Sequence, residues 1–257
     1  MLSKVKGLVI RSVDIKESDR LLTIYTEEMG LVTALAKGAR SLKSKNMATT
    51  MQFCYSAFVL YKKGEHYWIR ESELIESFFD IRKTLSGLAL ASYIAEVISD
   101  VATAEPDKDL MRLSLNSLFA IASGKYELSI VKSAFEIRCA SILGFMPDVL
   151  SCRVCEGRTG EFYFDIMDGA LTCYECKSRA EQKYTELESP HESRVVVIIS
   201  EGVKNALSYC IYCPLEKIFS FSLSSEDVSV LNTATELYLL NQLERTFKSL
   251  EFYKEVK

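Results

Sequence analysis

Over the first eighty residues, apolar and polar positions alternate in short runs. GLVIRSVDI, RLLTIYTE, LVTALAKG, YSAFVLYKK and HYWIRESEL each carry side chains that change sides at every residue, the period of a half-buried strand. The turn-like ESD and EEMG and the polar SLKSKN separate them. Five such segments predict a small β-barrel. From Leu85 the spacing changes, with Leu85, Leu88, Ile94, Val97, Ile98 and Val101 at three- and four-residue steps along one helical face. Further helices are expected at Lys108–Ser123, Ser129–Leu143, Glu192–Cys210 and Glu226–Lys248, and Pro106, Pro147, Pro190 and Pro214 all fall between helical stretches, where proline is tolerated. The reading is α+β: a barrel over residues 1–81, then a helical domain over residues 82–257.

A chain of 257 residues with 48% hydrophobic content supports two packed cores. Charge sharpens the division. Residues 1–80 hold 12 Lys+Arg against 10 Asp+Glu, leaving 19 against 25 for the remainder. Between Thr33 and Lys63 stand six basic residues and no acidic one, so a local polyanion site is compatible with the overall charge of −4.

Lys4, Lys6, Arg11 and Asp14 interrupt the N-terminal segment too often for the apolar core of a signal peptide. The longest aliphatic run, VVVII at Val195 to Ile199, is far below the ~20 apolar residues that cross a bilayer. A reducing cytoplasmic setting is therefore expected, in which cysteines act as metal ligands or packed thiols instead of disulfides.

That bears on CRVCEGRTGEFYFDIMDGALTCYEC. Cys152, Cys155, Cys173 and Cys176 form C-x2-C-x17-C-x2-C, a spacing expected of a four-thiolate zinc site, within a module at about residues 150–180. Phe162, Phe164 and Ile166 alternate with Tyr163 and Asp165, and Asp168-Gly169 supplies a type I′ turn, so a hairpin brings the two pairs together. Four thiolates leave zinc no open position, and the metal would be structural. Cys210 and Cys213 close an amphipathic helix and read as buried free thiols; a thiol oxidoreductase built on them is the less favoured alternative.

Nucleotide-binding glycine loops are absent, and His66 and His191 belong to no metalloprotease motif. No enzyme is expected. KGARSLKSKN joins Lys37, Arg40, Lys43 and Lys45 to Ser41, Ser44 and Asn46, which suits phosphate contact as well as a merely solvated loop. Trp68 alternates with His66 and Arg70, either as a stacking surface for a base or as a residue buried against a neighbour.

GLVIRSVDIKESDRLLTIYTEEMGLVTALAKGARSLKSK resembles the opening of the RecO family of bacterial recombination mediators. LSGLALASYIAEVI, FEIRCASILGFMPDVLSC, the two CxxC pairs and ELYLLNQLERTFKSLEF follow in that family's order. The resemblance implies an N-terminal OB fold and a helical domain carrying a four-cysteine zinc hairpin. It also implies binding of single- and double-stranded DNA, strand annealing, and work with RecR and single-stranded DNA-binding protein to load RecA. On that footing Lys37, Arg40, Lys43, Lys45, Trp68 and Arg70 are the expected DNA contacts. Lys132 and Arg138, on an apolar helix, are the expected contacts for the acidic, phenylalanine-ended tail of the single-stranded DNA-binding protein. A zinc-containing interaction module without DNA binding is the other class left open.

Overall fold

The computed structural model describes residues 2–41, 43–64, 66–184 and 195–257, with backbone alone at 180–184. All five expected strands form: β1 (Leu2–Ile15), β2 (Asp19–Thr26), β3 (Gly30–Ala36), β4 (Tyr55–Lys63) and β5 (His66–Glu76). They close into a barrel in the order β1-β2-β3-β5-β4, with β3 and β5 parallel and the other pairs antiparallel. That closure is the OB fold.

One strand must serve two neighbours for five strands to close. β1 pairs with β4 through Leu2 to Leu8 and with β2 through Gly7 to Ile15, with a register shift between Val9 and Arg11. Gly7 sits at the crossing, where a Cβ would come within 2.5 Å of Ile24 Cγ2 and 2.9 Å of the Tyr25 carbonyl oxygen. Val5, Val9, Leu22, Ile24, Val32, Ala34, Ala36, Phe58, Leu60 and Ile69 fill the interior. Strand alternation then turns their neighbours outward, and this decides where the candidate site lies.

A 3-10 turn (Phe79–Lys83) leads into α1 (Leu85–Val101) and α2 (Lys108–Ser123). Thr84 Oγ1 accepts the Gly87 N–H at 3.1 Å, and Asp107 Oδ1 accepts the Asp109 and Leu110 N–H groups at 2.9 Å, so both helix starts are capped. These helices are tied to the barrel: the Leu31 N–H donates to the Thr103 carbonyl (2.8 Å), and the Tyr25 hydroxyl donates to the Asp107 carbonyl (3.0 Å). The final helix, α7 (Lys248–Val256), returns to α1, with Phe247 edge-on to Tyr93 and the Ser249 N–H donating to the Glu96 carboxylate. The change from strand to helix falls near Arg82, whereas packing groups residues 1–125 with 247–257, and 126–246 separately.

In the second unit, α3 (Leu128–Ile142) packs on α6 (Ser225–Leu243) and α5 (Glu201–Tyr212). A four-stranded sheet runs β6-β8-β7-β9, formed by β6 (Asp148–Cys152), β7 (Phe162–Asp165), β8 (Ala170–Cys173) and β9 (Val196–Ile199), with α4 (Tyr174–Tyr184) following β8. Three sequence expectations change here. The helix foreseen over Glu192–Cys210 starts outside the described residues and is then a strand and a shorter helix. Its β-branched run suits β9, and Ser200 Oγ accepts the Val203 N–H at 3.1 Å to begin α5. The helix foreseen over Glu226–Lys248 is broken at Glu244, which takes a left-handed conformation (φ 50) while the Arg245 N–H closes onto the Leu240 carbonyl. The hairpin turn is a four-residue loop between Asp165 and Ala170, because Asp165 Oδ1 accepts the Met167 and Asp168 N–H groups at 3.0 and 3.1 Å.

Candidate metal centre and nucleic-acid interface

The hairpin does bring the cysteine pairs together. Cys152 ends β6 and Cys155 follows in a tight turn whose Glu156 N–H donates to the Cys152 carbonyl at 2.8 Å. Cys173 ends β8 and Cys176 lies in the first turn of α4. The four sulfurs lie within 4.8 Å of one another, and Cys155 Sγ is 3.7 Å from Cys173 Sγ. A tetrahedron with ~2.3 Å metal–sulfur bonds has sulfur–sulfur edges of about 3.8 Å. The group could hold a metal ion.

Electrostatics at these sulfurs fit that use. Burial pushes the Cys152 thiol up, but the Cys173, Cys155 and Val154 N–H groups outweigh it and bring it down to about 6. Cys176 is pushed up to about 12, chiefly by the Cys173 thiol and then by burial. Four sulfurs this close cannot all ionise without a cation, and a divalent ion would remove that conflict. The other CxxC pair differs. Cys210 and Cys213 are buried, and burial pushes both thiols up, so a reactive thiolate is disfavoured there.

On the barrel, the alternation that buries Ala34, Ala36, Leu60 and Ile69 turns Leu35, Lys37, Tyr61 and Trp68 outward. Trp68 is opposite Tyr61 on β4 and Leu35 on β3. The rings of Tyr61 and Trp68 stack with centroids 6.3 Å apart and planes at 23°, and Lys63 Nζ is 6.0 Å from the Trp68 ring. Tyr61 and Leu35 join Trp68 only through a cross-strand register that is invisible in the chain order, and the same register brings in Lys63, one of the six basic residues of the acid-free stretch. Beyond the β4–β5 register shift the outer side changes character: Arg70 pairs with Glu71 at 3.7 Å, and Glu71 and Glu73 are exposed.

Lys37, Lys43 and Lys45 are exposed on the strand end and loop that follow. Arg40 has a different setting. Its Nε is 3.2 Å from Asp14 Oδ2, and its NH1 donates to the Lys16 and Glu17 carbonyls, both at 3.2 Å. Asp14 also holds Arg20 at 3.1 Å. Arg40 is thus committed in part to the β1–β2 turn, in contrast to the three lysines. His66 is exposed and His191 lies outside the described residues.

Lys132 requires a correction. It is 2% exposed, and its ammonium lies 2.9 Å from Glu136 Oε1 and 2.9 Å from Glu236 Oε2. Thr235 Oγ1 also donates to Glu136 at 2.8 Å. A cation already shared by two carboxylates inside the α3–α6 contact is not placed to meet a peptide's carboxylate. Arg138 donates to the Cys213 carbonyl at 2.7 Å. Ile130 is buried, so the apolar face of α3 is core. A groove of about 650 Å³ occurs elsewhere in this unit, lined by Ile166, Val195, Leu237 and Leu240, with Asn241, Glu244 and Arg245 at its polar side.

A closed OB barrel with an outward aromatic pair, joined in one chain to helices and a four-cysteine sheet module, defines a class of modular α+β proteins. Comparison narrows that class: residues 1–78 match the recombination protein O N-terminal family and residues 82–251 its C-terminal family. The chain belongs to the RecO family. It is 34% identical to the DNA repair protein RecO of Acetivibrio thermocellus over 98% of this chain and 96% of that one. It is 29% identical to the namesake from Caldicellulosiruptor saccharolyticus over 99% and 98%, and 29% identical to that of Alkaliphilus metalliredigens over the full length of both. Among the described residues no helix is long and apolar enough to cross a membrane.

Proposed function

We propose that this protein is a DNA-binding recombination mediator in DNA repair. It binds single- and double-stranded DNA, anneals complementary strands and, with RecR, helps load RecA onto DNA covered by single-stranded DNA-binding protein, in the bacterial cytoplasm and without catalysing a reaction. The observation that carries the reading is the stacked Tyr61–Trp68 pair on the outside of an OB barrel, with Lys63 Nζ 6.0 Å from the Trp68 ring. Bases of any sequence can stack on such rings, while Lys37, Lys43 and Lys45 neutralise phosphates and Arg40 contributes from a more constrained position. Arg70 closes this patch where Glu71 and Glu73 begin. Neutralised phosphates lower the repulsion between two strands, which is what annealing without ATP requires.

Zinc is the ion proposed for Cys152, Cys155, Cys173 and Cys176. Four sulfur donors select a soft or borderline cation, and saturated coordination confines it to holding β6, β8 and α4 together. For the tail of the single-stranded DNA-binding protein, a terminal phenylalanine among aspartates needs an apolar recess beside a cation. The groove at Ile166, Leu237 and Leu240 offers an apolar recess that the buried face of α3 does not, with Glu244 as well as Arg245 in its lining. The test of the whole reading is annealing of two complementary labelled oligonucleotides with no nucleotide present. Acceleration by the full chain, weakened in Trp68→Ala, is expected; annealing at the protein-free rate would contradict it.

A further inference from the structure

The four clustered cysteines meet solvent unequally. Cys155 alone is exposed and Cys173 is half-buried, whereas Cys152 and Cys176 are 0% and 7% exposed. Backbone groups also hold the Cys152 sulfur, which accepts the Val154 and Cys173 N–H groups at 3.4 and 3.3 Å. The exposed Cys155 Sγ is 3.7 Å from Cys173 Sγ, so the two sulfurs that solvent reaches are neighbours. A disulfide brings sulfurs to about 2.05 Å. Cys155 stands beyond the end of β6, in a turn, where a side-chain shift of under about 2 Å closes the difference.

The sheet and α4 depend on the cluster to different degrees. Phe162, Phe164, Leu171 and Ile199 are fully buried, and the Asp148 and Arg153 N–H groups donate to the Gly169 and Leu171 carbonyls at 2.7 and 2.8 Å, so β6 and β8 are joined without a metal. α4 reaches the cluster only at its first turn, through Cys176. We propose that Cys155 and Cys173 form a redox-modification site, at which a hydroperoxide makes a disulfide, ends metal retention and releases α4 while the sheet persists. The inference rests on the reading of the cluster as a zinc site, and adds its regulation. The Cys155 sulfur attacks the peroxide: an S–O bond forms, the O–O bond breaks, and the departing oxygen leaves as water. The Cys173 sulfur then attacks Cys155: the S–S bond forms, the S–O bond breaks, and a second water leaves. The two sulfurs give up two electrons, which the peroxide takes. Starting from four metal-bound thiolates, four protons come from solvent. Two complete the waters, and two return to Cys152 and Cys176, too few ligands to retain the ion.

The experiment treats the reduced full-length protein, its zinc first measured by elemental analysis, with an equimolar amount of hydrogen peroxide. Released zinc is followed with a chromogenic chelator, disulfides are mapped by differential alkylation and mass spectrometry, and hydrogen exchange is compared before and after. One Cys155–Cys173 disulfide for each zinc released is expected, with exchange accelerated in α4 and unchanged in β6, β7 and β8. Dithiothreitol with added zinc should restore the starting state. A Cys210→Ala, Cys213→Ala variant should respond as the unmodified protein does, which separates the cluster from the other CxxC pair. Zinc retained with all four thiols still open to alkylation after unfolding would overturn the site, as would disulfides confined to Cys152–Cys155 and Cys173–Cys176. Protein that holds no zinc before treatment would remove the metal reading, and the disulfide map would still decide whether Cys155 and Cys173 join.

Discussion

Trp68 lies nearly parallel to Tyr61 across the β4–β5 pair, outside a barrel whose interior is already filled by Phe58, Leu60 and Ile69. Folding therefore does not require the Trp68 ring to be aromatic. Trp68→Ala should weaken single-strand binding by roughly 1–3 kcal/mol while barely changing its salt dependence, since stacking releases no counterions. Anisotropy titrations at several salt concentrations check this, with thermal unfolding to show that the barrel persists.

Arg40 separates from its three lysine neighbours. Replacing Lys37, Lys43 or Lys45 by Ala should each lower the log–log salt slope by about 0.7 on single strands and leave stability within about 0.5 kcal/mol. Arg40→Ala also removes bonds to Asp14 and to the Lys16 and Glu17 carbonyls. It should therefore lower stability more than any of the lysine changes, measured by urea unfolding.

The Lys132 ammonium is buried with Glu136 and Glu236, and Lys132→Ala should cost about 3–5 kcal/mol because it strands the carboxylates. Burial raises the Glu136 carboxyl more than Lys132 lowers it. A raised folded-state value means that the group favours folding most below the ordinary carboxyl range, and that this contribution is lost as pH rises through the folded value. Glu136→Gln should flatten that part of the stability profile, which urea unfolding across a pH series would reveal.

Protein purified without chelator should contain one zinc per chain by elemental analysis. Cys152→Ser or Cys176→Ser should abolish retention and expose the module to proteolysis, whereas Cys210→Ala should leave zinc content unchanged. Because binding needs deprotonated sulfur, acidification should release the metal. Less than about half an equivalent, with four freely reactive thiols, would contradict the assignment.

The barrel was legible because each strand alternates across a single filled interior, and the cysteine cluster because its spacing survives any choice of turn. What chain order hides is register and context. Tyr61 sits seven residues before Trp68, and only the β4–β5 pairing makes them neighbours. Lys132 looked like a surface cation because sequence alone does not reveal that α3 is packed on nearly every side, with its acids Glu136 and Glu236 supplied from α3 and α6. The break at Glu244 carries neither glycine nor proline, and the turn after Asp165 joins its side chain to the left-handed Gly169, whose N–H donates to the Asp165 carbonyl, in a loop of four residues instead of two.

The most direct measurement is a salt titration of binding to labelled single-stranded DNA by the unmodified protein and by a variant carrying Lys37→Ala, Lys43→Ala, Lys45→Ala and Trp68→Ala. Contact through the outer barrel face gives a steep slope for the unmodified protein, and for the variant a slope lower by about 2 with much weaker affinity. A variant that keeps both the slope and the affinity would contradict the assignment of DNA binding to this face.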